Sequence, residues 1–239
     1  MKEKKRAHLK PGALSAPLPP AMVTVGSFDD ANILTVAWTG ILSTIPPKTY
    51  ISVRPSRHSH KMLTERGEFV INLPSVSLAK TVDYVGIYTG AKVDKFKKCS
   101  LTKAKSEHVA PPTIAECPIA LECRVCEVKS MGTHDVFIAD IVGVSCDEKI
   151  LDESGKMHFE LADLLAYAHG EYYALGQRVG RFGFSTDKPK REAAEPEKKT
   201  AQKKVEQKRP FYLDAPRGKS VRKKPDTDKN KGKRRGSEK

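Results

Sequence analysis

The sequence predicts a mostly β fold, an antiparallel barrel carrying short helices and followed by a basic tail. Three observations predict it. Short runs of alternating apolar and polar residues dominate residues 21–147, Pro and Gly clusters separate them, and only two stretches carry helical spacing.

The first run, "AMVTVGS" (21–27), is joined by "FDDA" to "NILTVAWT" (32–39). In this second strand Leu34, Val36 and Trp38 share one face, while Ile33, Thr35, Ala37 and Thr39 share the other. "STIPPK" connects to "TYISVRP" (49–55), where Ile51 and Val53 oppose Tyr50, Ser52 and Arg54. "SHKMLTERGEF" then reads as a short helix, with Ser59 as N-cap, Met62 and Leu63 inward, and Gly67 closing it. "EFVINLP" resumes a strand. Leu78, Val82 and Val85 fall at helical spacing over 77–85, with Ser77 as cap. Residues 86–115 are loop-rich.

Two long strands follow, "CPIALECRVCEVKSM" and "HDVFIADIVGVSCD", with "GT" between them as a hairpin connection. In the second, Val136, Ile138, Val142 and Val144 line one face, and Phe137, Ala139 and Ile141 line the other. A strand apolar on both faces is covered twice, and a partner subunit is the simplest second cover. The folded part ends with "HGEYYALGQRVGRFGFST". Many strands and few helices argue for a closed antiparallel barrel.

The formal charge of +14 is unevenly spread: residues 187–239 carry 20 Lys and Arg against 9 Asp and Glu, leaving a net +3 for residues 1–186. The folded part is therefore near neutral and need not handle a polyanion. Segment 187–239 is too poor in branched apolar residues to offset its ordering entropy and is expected to be disordered. It is either a solvated tail or a tether that contacts nucleic acid or an acidic partner through counterion release. "RPFYLDAP" (209–216) interrupts it with three apolar side chains. Residues 1–17 read as a flexible leader to a domain spanning 18–186. No signal-peptide core or membrane-length apolar run is seen, so a cytoplasmic location without membrane contact is expected. Five cysteines, an odd number, fit reduced thiols.

The loop "RPSRHSHK" (54–61) clusters Ser56, Arg57, Ser59 and Lys61 at a helix N-terminus. Free N–H groups, a favourable dipole and positive charge suit a phosphate there, although an ordinary solvated helix start fits the same spacing. His58-x-His60 is two ligands short of a closed metal site, and no metal is expected. Cys123-x-x-Cys126 lies in a strand, where residues three apart face opposite sides. His134, after the turn, is a candidate acid–base or hydrogen-bonding group, or a turn histidine facing water; His169 is equally ambiguous. Tyr172 and Tyr173 could stack on a planar ring or simply pack. No phosphate-cradling Gly loop and no GxSxG element is present.

In order and spacing, "PAMVTVGSFDD", "NILTVAWTGILSTIPPKTYISVRPSRHSHKML", "GEFVINLP", "DYVGIYTGAKVDKF", "GTHDVFIADIVGV" and "GEYYALGQRVGRFG" together resemble the flavin reductase-like FMN-binding split-barrel family, and within it the flavoredoxin type. The resemblance covers roughly residues 18–184. It implies a six-stranded antiparallel Greek-key split β-barrel acting as a homodimer, with FMN at the subunit interface. By the family pattern Thr35, Trp38, Thr39 and Gly40 would border the flavin ring, and Ser52, Val53 and Arg54 would continue along the cofactor. Ser56, Arg57, Ser59 and Lys61 would hold the phosphate. Asn72 would add a polar contact, while Lys95 and Phe96 would reach the flavin of the other subunit. The implied activity is an NAD(P)H:flavin reductase or a flavoredoxin-like electron carrier, exchanging electrons with a small-molecule or protein partner. Without a dinucleotide fingerprint, NADH or NADPH would have to settle over the flavin near His134. The rival is a noncatalytic split-barrel binding protein whose tail tethers it.

Overall fold

A computed structural model describes residues 5–186. Segment 187–239, with its expected disorder and its "RPFYLDAP" island, lies outside the described residues. Residues 5–17 are exposed and hold no helix or strand before Leu18 bridges to Tyr167.

The chain enters the barrel as β1 (Ala21–Gly26), turns at Gly26 and returns as β2 (Ala31–Val36). Gly26 has φ +98°, and a Cβ there would lie 2.1 Å from the Asp30 carbonyl oxygen, so this turn requires glycine. β3 (Thr39–Thr44) and β4 (Pro47–Val53) form a hairpin, followed by α1 (His58–Arg66) and β5 (Glu68–Leu73). α2 (Ala79–Ile87) and α3 (Lys95–Lys98) precede a small ribbon of β6 (Lys103–Ala104) and β7 (Thr113–Ile114). The long hairpin β8 (Ile119–Ser130) and β9 (Asp135–Cys146) completes the barrel, and β10 (Leu165–Ala168) pairs with β11 (Glu171–Ala174) outside it.

The main sheet has seven antiparallel strands in the order β2-β1-β5-β8-β9-β4-β3, one more than the six expected. The extra strand comes from "NILTVAWT", which is not one strand. β2 stops at Val36, Ala37 and Trp38 carry the chain across, and Thr39 begins β3 on the opposite edge. The two edges are joined by this dipeptide, and Ser52 N–H donates to Trp38 O at 3.0 Å, continuing the β3–β4 ladder by one residue. The inner faces of six strands and Leu63 of α1 meet in one core of Val23, Val25, Leu34, Val36, Ile51, Val53, Phe69, Ile71, Cys123, Phe137 and Ala139. Leu34 with Val36 and Ile51 with Val53 share faces as the alternation predicts, and both faces point into this core, but Trp38 leaves its row and stands 39% exposed. Phe69 and Phe137 are fully buried; truncating either to Ala would cost about 3–5 kcal/mol.

β2 is covered twice, because Ile33 joins a second core with Met22, Val82, Val85, Phe96 and Leu165 on the outside of the barrel. β9 is not. Phe137 and Ala139 are buried, but Val136, Ile138 and Val142 are only half-covered and Val144 is 59% exposed. Among the described residues, no helix is long and apolar enough to cross a membrane.

Gly67 closes α1 at φ +64°, as expected, but Arg57 is its N-cap and Ser59 lies inside the helix. Ser77 caps no α-helix: it sits in a 3-10 turn (Val76–Leu78), and α2 starts after it. The β8–β9 connection is Met131–His134, wider than "GT", with Gly132 at φ +79°.

Candidate functional site

A cavity of about 260 Å³ opens where β2, the β4–α1 connection, the loop after α2 and α3 converge. β2 supplies Asn32 and Leu34; the β4–α1 connection supplies Arg54, Ser56 and Arg57, and the first turn of α1 supplies His58 and Ser59. Tyr88, Thr89 and Gly90 form another wall, and Lys95 of α3 a further one. This lining contains three cations and no carboxylate.

Local geometry follows from chain direction. Pro55 ends β4, and a turn in which Arg57 N–H donates to Arg54 O at 3.0 Å aims α1 at the cavity. No side chain caps α1 and its first turn carries no acid. Of its leading N–H groups, His60 donates to Arg57 O at 2.9 Å, and those of His58 and Ser59 are left for a ligand. Ser59 is buried and accepts from Asn32 Nδ2 at 2.7 Å, which fixes α1 against β2. Arg57 Nη1 donates to Gly86 O at 2.7 Å. Lys95, 4% exposed, donates through Nζ to Ile33 O at 2.6 Å and Val85 O at 2.8 Å. Burial, with help from the Arg57 charge, pulls its ammonium down to about 8. Gly90 is needed at the cavity wall, since a Cβ there would come 2.2 Å from Asn32 Oδ1.

Beside the cavity stands a ring pair. His134 lies 4.6 Å from Trp38, centroid to centroid, tilted by 49°. Arg54 Nε donates to His134 Nε2 at 3.4 Å, and Thr133 Oγ1 is 2.9 Å from Nδ1. Accepting from Arg54 places the imidazole proton on Nδ1, facing Thr133. Desolvation first, then the charges of Arg54 and Arg57, hold His134 below its ordinary range, so at neutral pH it is an uncharged ring.

A family model described as "Flavin reductase like domain" matches residues 14–176. The chain belongs to that family. Flavoredoxin of Desulfovibrio vulgaris (Miyazaki F) is 31% identical with a TM-score of 0.72, covering 77% of this chain and 100% of its own. Flavoredoxin from Methanosarcina acetivorans is 25% identical at TM-score 0.70, covering 76% and 97%. An uncharacterized protein of Archaeoglobus fulgidus is 33% identical over 136 residues, 57% of this chain and 77% of the relative.

In this flavin reductase-like barrel, the expected site residues divide into three groups. Arg54, Ser56, Arg57 and Ser59 line the cavity, and so does Lys95, which was expected at the flavin of the other subunit and here faces the cavity of its own chain. Trp38 and His134 stand beside it, joined through Arg54. The third group is engaged elsewhere. Thr35 Oγ1 donates to Val82 O and seats α2, Thr39 Oγ1 donates to Tyr50 O at 2.6 Å, and Gly40 O accepts from Thr49 at 2.9 Å. Val53 is a core side chain, and Ser52 N–H bonds Trp38 O just ahead of β3.

Three expectations are corrected. Lys61 points to solvent, 82% exposed and 3.7 Å from Glu65, away from the cavity; Lys95 supplies the cation instead. Asn72 is fully buried inside the fold, donating to Met22 O and accepting from Ile114 N, each at 2.9 Å. Phe96 packs in the outer core with Lys103 Nζ 5.1 Å above its ring. Asn32, Leu34, His58 and the Tyr88–Gly90 wall were not read from the sequence. Glycine soon after a helix that ends in aromatics was the one available signal for that wall.

The remaining motifs fall outside the site. His58 lines the cavity while His60 turns away to Asp135, Nε2 to Oδ2 2.7 Å, so the pair cannot share a metal. No metal-type cluster of His, Cys, Asp or Glu exists among the described residues. All five cysteines are free: Cys123 is a buried core residue whose thiol is pushed up to about 12, and Cys126 is exposed near Lys48. His169 (φ +46°) and Gly170 form the β10–β11 turn, and Tyr172 packs on Tyr167 at 5.5 Å.

Proposed function

We propose that this protein is an FMN-binding oxidoreductase, acting as an NAD(P)H:flavin reductase or a flavoredoxin-like electron carrier. The observation that carries the reading is the cavity whose lining holds Arg54, Arg57 and Lys95 and no carboxylate, directly beside Trp38 and the neutral His134. The donor set fits a flavin mononucleotide: hydroxyls, a guanidinium, an ammonium and leading helix N–H groups suit the phosphate. Family membership and the flavoredoxin likenesses support the same assignment.

When bound, FMN supplies hydride or single-electron transfer through its ring. The chain's own residues bind and orient. Ser56, Arg57 and Lys95 hold the anionic end, and Asn32 with Ser59 keeps α1 aimed at it. Trp38 would offer an aromatic face to the ring system, while Arg54 and His134 would present hydrogen-bonding groups to it. His134 Nε2, uncharged at neutral pH, could take a proton only by releasing Arg54, so it serves here as a positioning residue.

The protein works as a homodimer in this reading, since Val144, Ile41, Leu42 and Ile45 expose apolar surface that a second copy would cover. The electron donor is NADH, NADPH or a protein, and the acceptor is a small molecule or a protein.

Purified protein should be yellow and titrate to one FMN per chain. A colourless preparation that does not bind added FMN would overturn the assignment. Anaerobic NADH or NADPH that bleaches the flavin rapidly identifies a reductase; bleaching only with a protein donor identifies a carrier.

A further inference from the structure

The chain between β9 and β10 folds over one end of the barrel, at the end of β9 opposite His134. It runs through a 3-10 turn (Glu148–Ile150), a loop closed by a bridge between Leu151 and Met157, and a second 3-10 turn (Phe159–Leu161). Ile150 and Ala162 are buried against Ile119 of β8, with Cys146 and Met157 beside them, so the segment is a cap over apolar side chains. His158 N–H donates to Ile150 O at 2.7 Å and ties the two turns together.

Inside the cap His158 is engaged at both ring nitrogens. Nε2 lies 2.9 Å from Asp152 Oδ2 and Nδ1 lies 3.1 Å from Glu160 Oε1. At neutral pH a carboxylate only accepts, and an uncharged imidazole carries a single N–H. Two such contacts at once therefore require the doubly protonated ring. Asp152 is also the hub of the loop, accepting from Ser154 N–H at 2.9 Å, Ser154 Oγ at 2.6 Å and Lys156 N–H at 3.1 Å.

We propose that His158 is the pin of a pH-sensitive cap on this end of the barrel, closed while its ring carries two protons and loosened when it loses one. The uncharged ring keeps Asp152 or Glu160 but not both, and the abandoned contact sets a lone pair against a carboxylate. The second 3-10 turn is then no longer tied to the loop through the ring, and the cover over Ile119 and Ile150 weakens.

The surrounding charges act in the same sense. The cap itself brings Asp152 and Glu160 to the ring, and both raise the affinity of His158 for its second proton against a smaller opposing effect of desolvation. The first 3-10 turn carries Glu148 and Lys149, while the segment after β11 brings the charge of Arg178 to Glu160. β8 and β5 meet the cap with Ile119 and Leu73, which carry no charge. A value raised in the closed state makes the pin fully effective below the ordinary histidine range, and its effect is lost as pH rises through the closed-state value.

The test is amide hydrogen exchange by NMR on the full chain between about pH 6 and about pH 9, expressed as protection factors so that base catalysis cancels. Protection of the His158 and Leu161 amides should fall roughly fivefold over that range, the worth of one ion pair near a surface, while β5 amides stay flat. The His158 ring should titrate above the ordinary histidine value near 6.5. Glu160→Gln should stay closed to high pH, because its amide can donate to the bare Nδ1 of an uncharged ring. His158→Ala should show low protection of the cap at every pH; if it does not fold, Glu160→Gln and the wild-type titration decide. A His158 ring titrating at or below its ordinary value, flat protection in wild type, or a slope that persists in either variant overturns the pin. None of these outcomes depends on a flavin being bound.

Discussion

Arg57 and Asn72 were both expected at the cofactor, and the structure separates them. Arg57 faces the cavity with one nitrogen on Gly86 O, so it can present further donors to a ligand. Arg57→Ala should weaken FMN binding by about 1.5–3 kcal/mol, the range for a charged hydrogen bond, with little change in melting temperature. Asn72 instead joins β5 to β1 and β7. Asn72→Ala should destabilise the fold by about 2–4 kcal/mol, because it orphans a buried N–H and a buried carbonyl, while FMN affinity of the folded fraction is kept. Denaturant titration beside flavin titration checks both; the opposite pattern would exchange their roles. The loop 54–59 was legible because residue chemistry and helix position pointed the same way. Lys61 was misread because only helical phase, not composition, decides which of the neighbouring residues faces solvent. Lys95 owes its place to contacts with Ile33 and Val85, far from it in sequence.

At the scale of elements, α1 is the part that must stay put. It is fixed to β2 through Asn32 and Ser59 and to β9 through His60 and Asp135, both 17% exposed in their side chains. The His60 ring also meets the Phe137 ring edge-on at 5.4 Å. The hydrogen bond from His60, then one from Ser130, holds the Asp135 carboxyl below its usual range. A depressed folded-state value stabilises the protein above the unfolded carboxylate range near 4, and that stability is lost as pH falls through the folded value. Asp135→Asn should therefore melt below wild type at pH 5–7, with the gap closing below about pH 4. Equal melting curves throughout would show that the pair does not pin α1. Strand identities were legible from period-two alternation. The split of "NILTVAWT" was not, because alternation continues through Ala37 and Trp38 while the backbone leaves one edge of the sheet for the other.

For the whole molecule, the feature that matters is apolar surface left uncovered. The β3–β4 hairpin exposes Ile41 at 62%, Leu42 at 51% and Ile45 at 80%, and β9 exposes Val144 at 59%. The doubly apolar pattern of β9 was visible in the sequence, whereas the hairpin's exposure was hidden because "GIL" reads like any buried run. Ile41→Glu with Leu42→Glu should move the protein from dimer to monomer in light scattering, relative to a 26.4 kDa chain. If the cavity is completed across that interface, the same variant loses FMN. A wild-type monomer would remove the interface.

The sulfur chemistry of the barrel has a practical side. Burial keeps Cys117 and Cys123 protonated, and Cys99 and Cys146 are partly shielded, while of the five only Cys126 is exposed, on the β8 surface beside Lys48. A thiol-directed fluorophore would settle there first without any engineered handle, giving a ready ruler to the proposed flavin. The same accessibility makes Cys126 the natural point for two molecules to become covalently joined as a stored sample ages in air.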